Sequence, residues 1–218
     1  MSDTRKSTDF LDLALDDYLA ARLLLRSGLL SQGLAVAATA VEKHLKAALA
    51  LKNYYLKKHL ESGLLQGIEK LYPSLYNALD PDFLRYLKRG FMLRYATVDS
   101  DGFSIVINQH RTLVALDETM VRIDNGFLIK QGSNELDTPL RRAVKAQNST
   151  LLEDNVPLGG ITLPELAKRV NKMFELKVDH KLATMRVQYE TEGLNIVGDF
   201  CKKSDIGMNR ATQKLSMG

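Results

Sequence analysis

The chain has 218 residues, 45% of them hydrophobic and 26% charged, a balance that can bury a core in one domain or two small ones and that excludes wholesale disorder. Its single cysteine, Cys201, excludes an intramolecular disulfide, and no Cys/His spacing outlines a zinc site, so a cytoplasmic protein without metal or other cofactor is expected. The polar start MSDTRKSTDF and the lack of any apolar run of about eighteen residues argue against secretion and against a membrane partner, while a formal charge of +4 permits contact with nucleic acid.

Ser7, Thr8 or Asp9 is placed to cap a first helix running to about Arg26, with Leu11, Ala14, Leu15, Tyr18, Ala21 and Leu25 as its apolar stripe. Gly28 stops it, and the short connection turns the chain back into Ser31 to Leu51, SQGLAVAATAVEKHLKAALAL. Leu34, Ala38, Val41, Leu45 and Ala48 recur at helical spacing, and the many alanines let neighbouring helices approach closely, so this helix is expected to be central. Glu42 and Lys46 stand four apart in the favourable acid-before-base order, which suits either a surface pair or a contact to a polar ligand between helices. A third helix is predicted from His59 to Lys70, stopped by Pro73.

Asp80-Pro81 is a helix start, a capping Asp followed by Pro at the first helical position. The helix it opens is predicted to run to about Tyr95, burying Phe83, Leu84, Leu87 and Phe91 and gathering Arg85, Lys88 and Arg89 on the opposite side. Asp99-Ser-Asp-Gly102 reads as a turn, because the later ligands of a calcium loop are replaced by Ile105 to Ile107. A last core helix is predicted from about Ile105 to Asp124, with Val106, Leu113, Val114, Leu116, Met120 and Val121 as its apolar positions.

The run AVAATAVEKHLKAALAL followed by His59-Leu60, together with Arg94-Tyr95 at the end of the Asp80-Pro81 helix, resembles the HEPN family over about residues 8 to 125. The resemblance implies an antiparallel helical bundle, a homodimer, and binding of RNA or a nucleotide, in a prokaryotic defence or toxin-antitoxin setting. Ribonucleases of that family carry an Arg and, after about four to six residues, a His, so that Arg can hold the scissile phosphate while His moves the proton of the 2′-hydroxyl. None of His44, His59, His110 and His180 has an Arg at that spacing. The first expectation is therefore a non-catalytic HEPN-like protein whose nucleic-acid contacts are Arg85, Lys88, Arg89 and Arg94 and whose ligand-contacting pair is Glu42 with Lys46. Two alternatives stay open: a divergent metal-independent ribonuclease with Arg94 and His110 as its catalytic pair, and a protein-interaction module.

Beyond Asp124-Asn125-Gly126 the character of the chain changes. Residues 127 to 129 are strand-like, Pro139 opens a short basic helix with Arg141, Arg142 and Lys145, and a loop with Pro157 and Gly159-Gly160 follows. Thr162 and Glu165 form a capping box, predicting a helix through Phe174. The alternation of Ala183, Met185, Val187 and Tyr189 with polar residues predicts a strand over 182 to 190, turned by Glu190 to Gly193 into a second strand at Leu194 to Val197. The expected fold is thus mainly α, an antiparallel bundle over 8 to 125 with a small α+β extension over 126 to 200 able to grip a protein partner, and a flexible tail over 201 to 218.

Overall fold

A computed structural model describes residues 4–56, 59–60, 62–94, 103–131, 133–178 and 184–191. Helix α1 spans Thr4–Ser27 and α2 Leu30–Ala50. Between them Gly28 takes φ +88°, and the Gly28 and Leu29 N–H groups donate to the Leu25 and Leu24 carbonyls at 3.0 and 2.9 Å, so a left-handed glycine satisfies the end of α1 and reverses the chain. Ser7 lies inside α1 and caps nothing; its buried hydroxyl donates to the Ala47 carbonyl of α2 at 3.0 Å, across the antiparallel pair. Val41 and Leu45 are fully buried among Ala37, Ala38, Ala40, Ala47 and Ala48, which bears out the central position of α2.

Helix α3 covers Ser62–Leu71 and α4 covers Pro73–Ala78. Pro73 thus opens a helix as well as closing one, since its missing N–H costs nothing at the first helical position. Helix α5 is Pro81–Met92, and the Asp80 carboxylate accepts from the Asp82 and Phe83 N–H groups at 2.8 and 3.2 Å, the cap expected from the Asp-Pro pair. Phe83, Leu84 and Leu87 are buried, and Gly90 rests directly on Leu34 of α2. Tyr95 and the Asp99 to Gly102 turn lie outside the described residues.

The next segment departs from expectation. Phe103–Asn108 is a strand, β1, and only then does helix α6, Gln109–Asn125, begin, with the Asn108 side chain accepting from the Arg111 N–H at 3.0 Å. Ile105 and Ile107 are buried while Ser104, Val106 and Asn108 are half-buried, a two-residue period that the β-branched run favours over a helical one. Strands β2, Ile129–Gln131, and β3, Asn134–Leu136, form a small hairpin, followed by helix α7 at Pro139–Lys145 and α8 at Ser149–Leu152.

The capping box at Thr162 is present, with the Glu165 carboxylate accepting from the Thr162 N–H at 3.0 Å and its hydroxyl at 2.6 Å, but helix α9 ends at Ala167 (Leu163–Ala167) and does not reach Phe174. Strand β4, Asn171–Val178, takes over, because Met173 and Phe174 bury themselves in a sheet with β1. Strand β5, Thr184–Thr191, is the one expected from the alternation, and its partner is β4; the segment Leu194 to Val197 lies outside the described residues. The antiparallel order β1-β4-β5 pairs Ile107 with Phe174 and Lys172 with Glu190, and the main core runs from Leu11 to Phe174. The fold is mainly helical with a small antiparallel sheet, and among the described residues no helix is long and apolar enough to cross a membrane.

One substitution tests the α2–α5 contact. A Cβ on Gly90 would stand 2.3 Å from Leu34 Cγ, inside a fully buried side chain. Gly90→Ala gains about 1 kcal/mol of helix propensity, yet overpacking is expected to outweigh it and leave the protein roughly 1–2 kcal/mol less stable in urea unfolding. A variant as stable as the wild type would mean that α5 stands off from α2.

Candidate nucleic-acid interface

Helix α5 presents its basic residues in different states. Arg85 and Lys88 are exposed, with Arg85 Nη1 donating to Asp82 Oδ1 at 2.7 Å one turn earlier. Arg89 is half-buried and donates to the Ser104 carbonyl at 2.8 Å, which ties it to β1. Arg94, just past the end of the helix, sets its guanidinium 5.1 Å from the Phe91 ring centre. The His59 ring packs on the same Phe91 at 5.1 Å and 36°.

That stack connects to the central helix. Glu42 is only 7% exposed; it accepts from Lys46 Nζ at 2.7 Å and lies 3.3 Å from His59 Nδ1. The pair is therefore no ordinary surface pair, since the carboxylate sits beneath both Lys46 and His59 and is largely shielded from water. Glu42, Lys46, His59, Phe91 and Arg94 form one continuous cluster from α2 to the end of α5, an association that their separation in sequence conceals.

Along the same helix, Arg85 and Lys88 also border a cleft of about 500 Å³ between α3, α4 and α5, whose walls include Leu60, Leu65, Tyr76 and Leu84 and the amide of Asn77. Apolar walls with one aromatic ring, a polar amide and two cations at the border suit a flat heterocycle carrying an anionic group. Tyr76 and Asn77 carry no recognisable motif and were not anticipated from the sequence. The three-residue spacing of Lys88 and Phe91, which makes them neighbours on the helix surface, was the available signal for the aromatic partner.

His110 lies elsewhere. Its N–H donates to Asn171 Oδ1 at 3.1 Å, and its imidazole, in a residue 5% exposed, borders a pocket of about 370 Å³ with Arg26, Asp154, Arg169 and Lys172; Arg94 is not among the residues lining that pocket. Burial lowers the His110 pKa below its ordinary value of 6.5, Arg169 lowers it further, and Asp154 partly opposes the shift. Among the described residues no group of His, Cys, Asp and Glu side chains is arranged to hold a metal ion.

The His110 shift has a sign that can be measured. Because the folded state resists protonating this ring, its contribution to stability is complete above the ordinary value of 6.5 and is lost as pH falls below it. The loss of unfolding free energy between about pH 7.5 and about pH 5.5 should thus be smaller in His110→Gln than in the wild type. Identical pH profiles in denaturant unfolding would show that the ring titrates as if exposed. Comparison with models of protein families, with curated proteins and with solved structures finds no match to this chain.

Proposed function

We propose that this chain is a HEPN-like, non-catalytic cytoplasmic protein that binds RNA or a nucleotide along α5. The observation that carries the reading is the adjacency of two features on one helix: an apolar cleft bordered by Arg85 and Lys88, and the Arg94, Phe91 and His59 stack that continues the cationic edge. A base inserts in the cleft or stacks beside Phe91, and the phosphates follow Arg85, Lys88 and Arg94. Arg89, held on the Ser104 carbonyl, orients the helix against β1. Lys46 and His59 over the Glu42 carboxylate supply further donors at the same end. The non-catalytic part of the reading is supported by the sequence, in which no histidine follows an Arg at the family's spacing.

Incubation with labelled single-stranded RNA in EDTA, scored for binding and cleavage together, tests this. The expected result is binding without cleavage, with an affinity that falls steeply with salt. Lys88→Ala and Arg94→Ala should each weaken binding and reduce the magnitude of the log-log salt slope by about 0.7, while Lys172→Ala leaves it unchanged. Unchanged slopes in both variants would remove the α5 edge. Cleavage in EDTA that His110→Ala abolishes would instead establish a divergent ribonuclease, and neither binding nor cleavage would leave a protein-interaction module. The homodimer that belongs to the same reading predicts a light-scattering mass near twice 24.4 kDa, and a mass near 24.4 kDa contradicts it.

A further inference from the structure

We infer that the pocket bordered by His110 is a second binding site, separate from the α5 edge, and that its ligand is a small phosphate monoester. Six charged or titratable groups line it: Arg26, His110, Asp154, Arg169, Lys172 and Glu190, with an apolar wall of Leu113, Leu166 and Val170.

The first reason is unspent hydrogen-bonding capacity. His110 is 5% exposed, yet its ring nitrogens have no hydrogen-bond or ion-pair partner among the described residues. These nitrogens border the pocket, where an acceptor on a ligand can pair with a ring N–H. Lys172 Nζ likewise has no partner among the described residues. The Lys172 side chain is folded against Gly28, its Cδ only 2.8 Å from where a Cβ would stand, and its backbone N–H is held by Gln109 Oε1 at 3.1 Å, so the ammonium group is positioned by packing.

The second reason is the state of the arginines. Asp154 binds both, with Arg26 Nε on Oδ2 at 3.0 Å and Arg169 Nη1 on Oδ1, and Arg26 is also paired with Glu153. The carboxylate is thereby neutralised and the two guanidinium groups are oriented, while Arg26 Nη1 and Arg169 Nε and Nη2 remain without partners among the described residues. An imidazole N–H, an ammonium and two guanidinium edges line one pocket, a donor-rich and cationic lining that suits the doubly charged head of a phosphate monoester.

Glu190 narrows the choice. It is exposed and lies opposite Lys172 in the β4–β5 register. A carboxylate there accepts hydroxyl groups from the organic part of a monoester and repels a second phosphate, which disfavours a polyphosphate or a nucleic-acid backbone. The apolar wall receives the carbon skeleton.

Phosphorus NMR of glycerol 3-phosphate and of inorganic phosphate, titrated with the full chain, tests the site. Saturable binding of both is expected, tighter for glycerol 3-phosphate, with a concurrent shift of the His110 ring protons. Lys172→Gln and Arg169→Gln should each weaken glycerol 3-phosphate binding about tenfold or more, and Arg94→Ala should leave it unchanged. Arg169 is exposed, so its variant keeps the test open if Lys172→Gln disturbs the packing on Gly28. Absence of saturable binding, equal affinity for the two probes, or a loss in Arg94→Ala with Arg169→Gln intact would each overturn the proposal. RNA binding measured on the same variants separates the sites, because Arg169→Gln should retain it whichever way the phosphate titration falls.

Discussion

Arg22 and Asp117 form an ion pair from which solvent is wholly excluded, and the relation between the bundle and the segment after it depends on that pair. Removing two charges from water is expensive, and burial leaves the Asp117 carboxyl above its ordinary range even though the Arg22 charge and hydrogen bond pull it down. The remaining hydrogen-bonding capacity is met locally: the Tyr18 hydroxyl donates to Asp117 Oδ1 at 2.6 Å, the Asn155 amide donates to Tyr18 at 3.1 Å, and Arg22 reaches the Glu153 carbonyl. These contacts hold residues 150 to 155 against α1 and α6. One turn along α1, Arg26 then meets Glu153 and Asp154, the latter in the left-handed region at φ +61°, and Asp154 in turn orients Arg169. The Arg26, Asp154 and Arg169 side of the His110 pocket is thus tied to the buried pair.

The α5 edge depends on a different constraint, the small residues of the central bundle. Gly90 lets α5 settle on Leu34, which brings Phe91 to His59 and so to Glu42. A bulkier residue at position 90 lifts the helix and separates the ring stack from the carboxylate beneath it. The two candidate sites therefore rest on separate supports, one a buried polar network and the other close apolar packing.

Local chemistry made the bundle legible. Asp80-Pro81 fixed one helix start, Gly28 fixed a reversal, and the apolar face of α2 identified Val41 and Leu45 as core. The failures share a cause, because β1 and β4 are strands only by virtue of each other. Phe174 follows a sound capping box and reads as helical until Ile107, far away in sequence, is seen opposite it. The basic residues of α5 were equally readable, but which of them is spent on protein was not: Arg89 on the Ser104 carbonyl is a tertiary fact, as is the burial of Glu42 of α2 beneath Lys46 and His59. The Lys172 and His110 pocket was hidden for the same reason, since the register of the sheet and the Asp154 turn assemble it.

The central claim is that ligand binds on the α3 to α5 side of the bundle. Hydrogen–deuterium exchange of the full chain, with and without a saturating single-stranded oligonucleotide, tests it most directly. The account predicts protection concentrated in residues 76 to 94 and at His59 and Leu60, with β4 and residues 154 to 170 unchanged. Protection confined to β4 and residues 154 to 170 would contradict it.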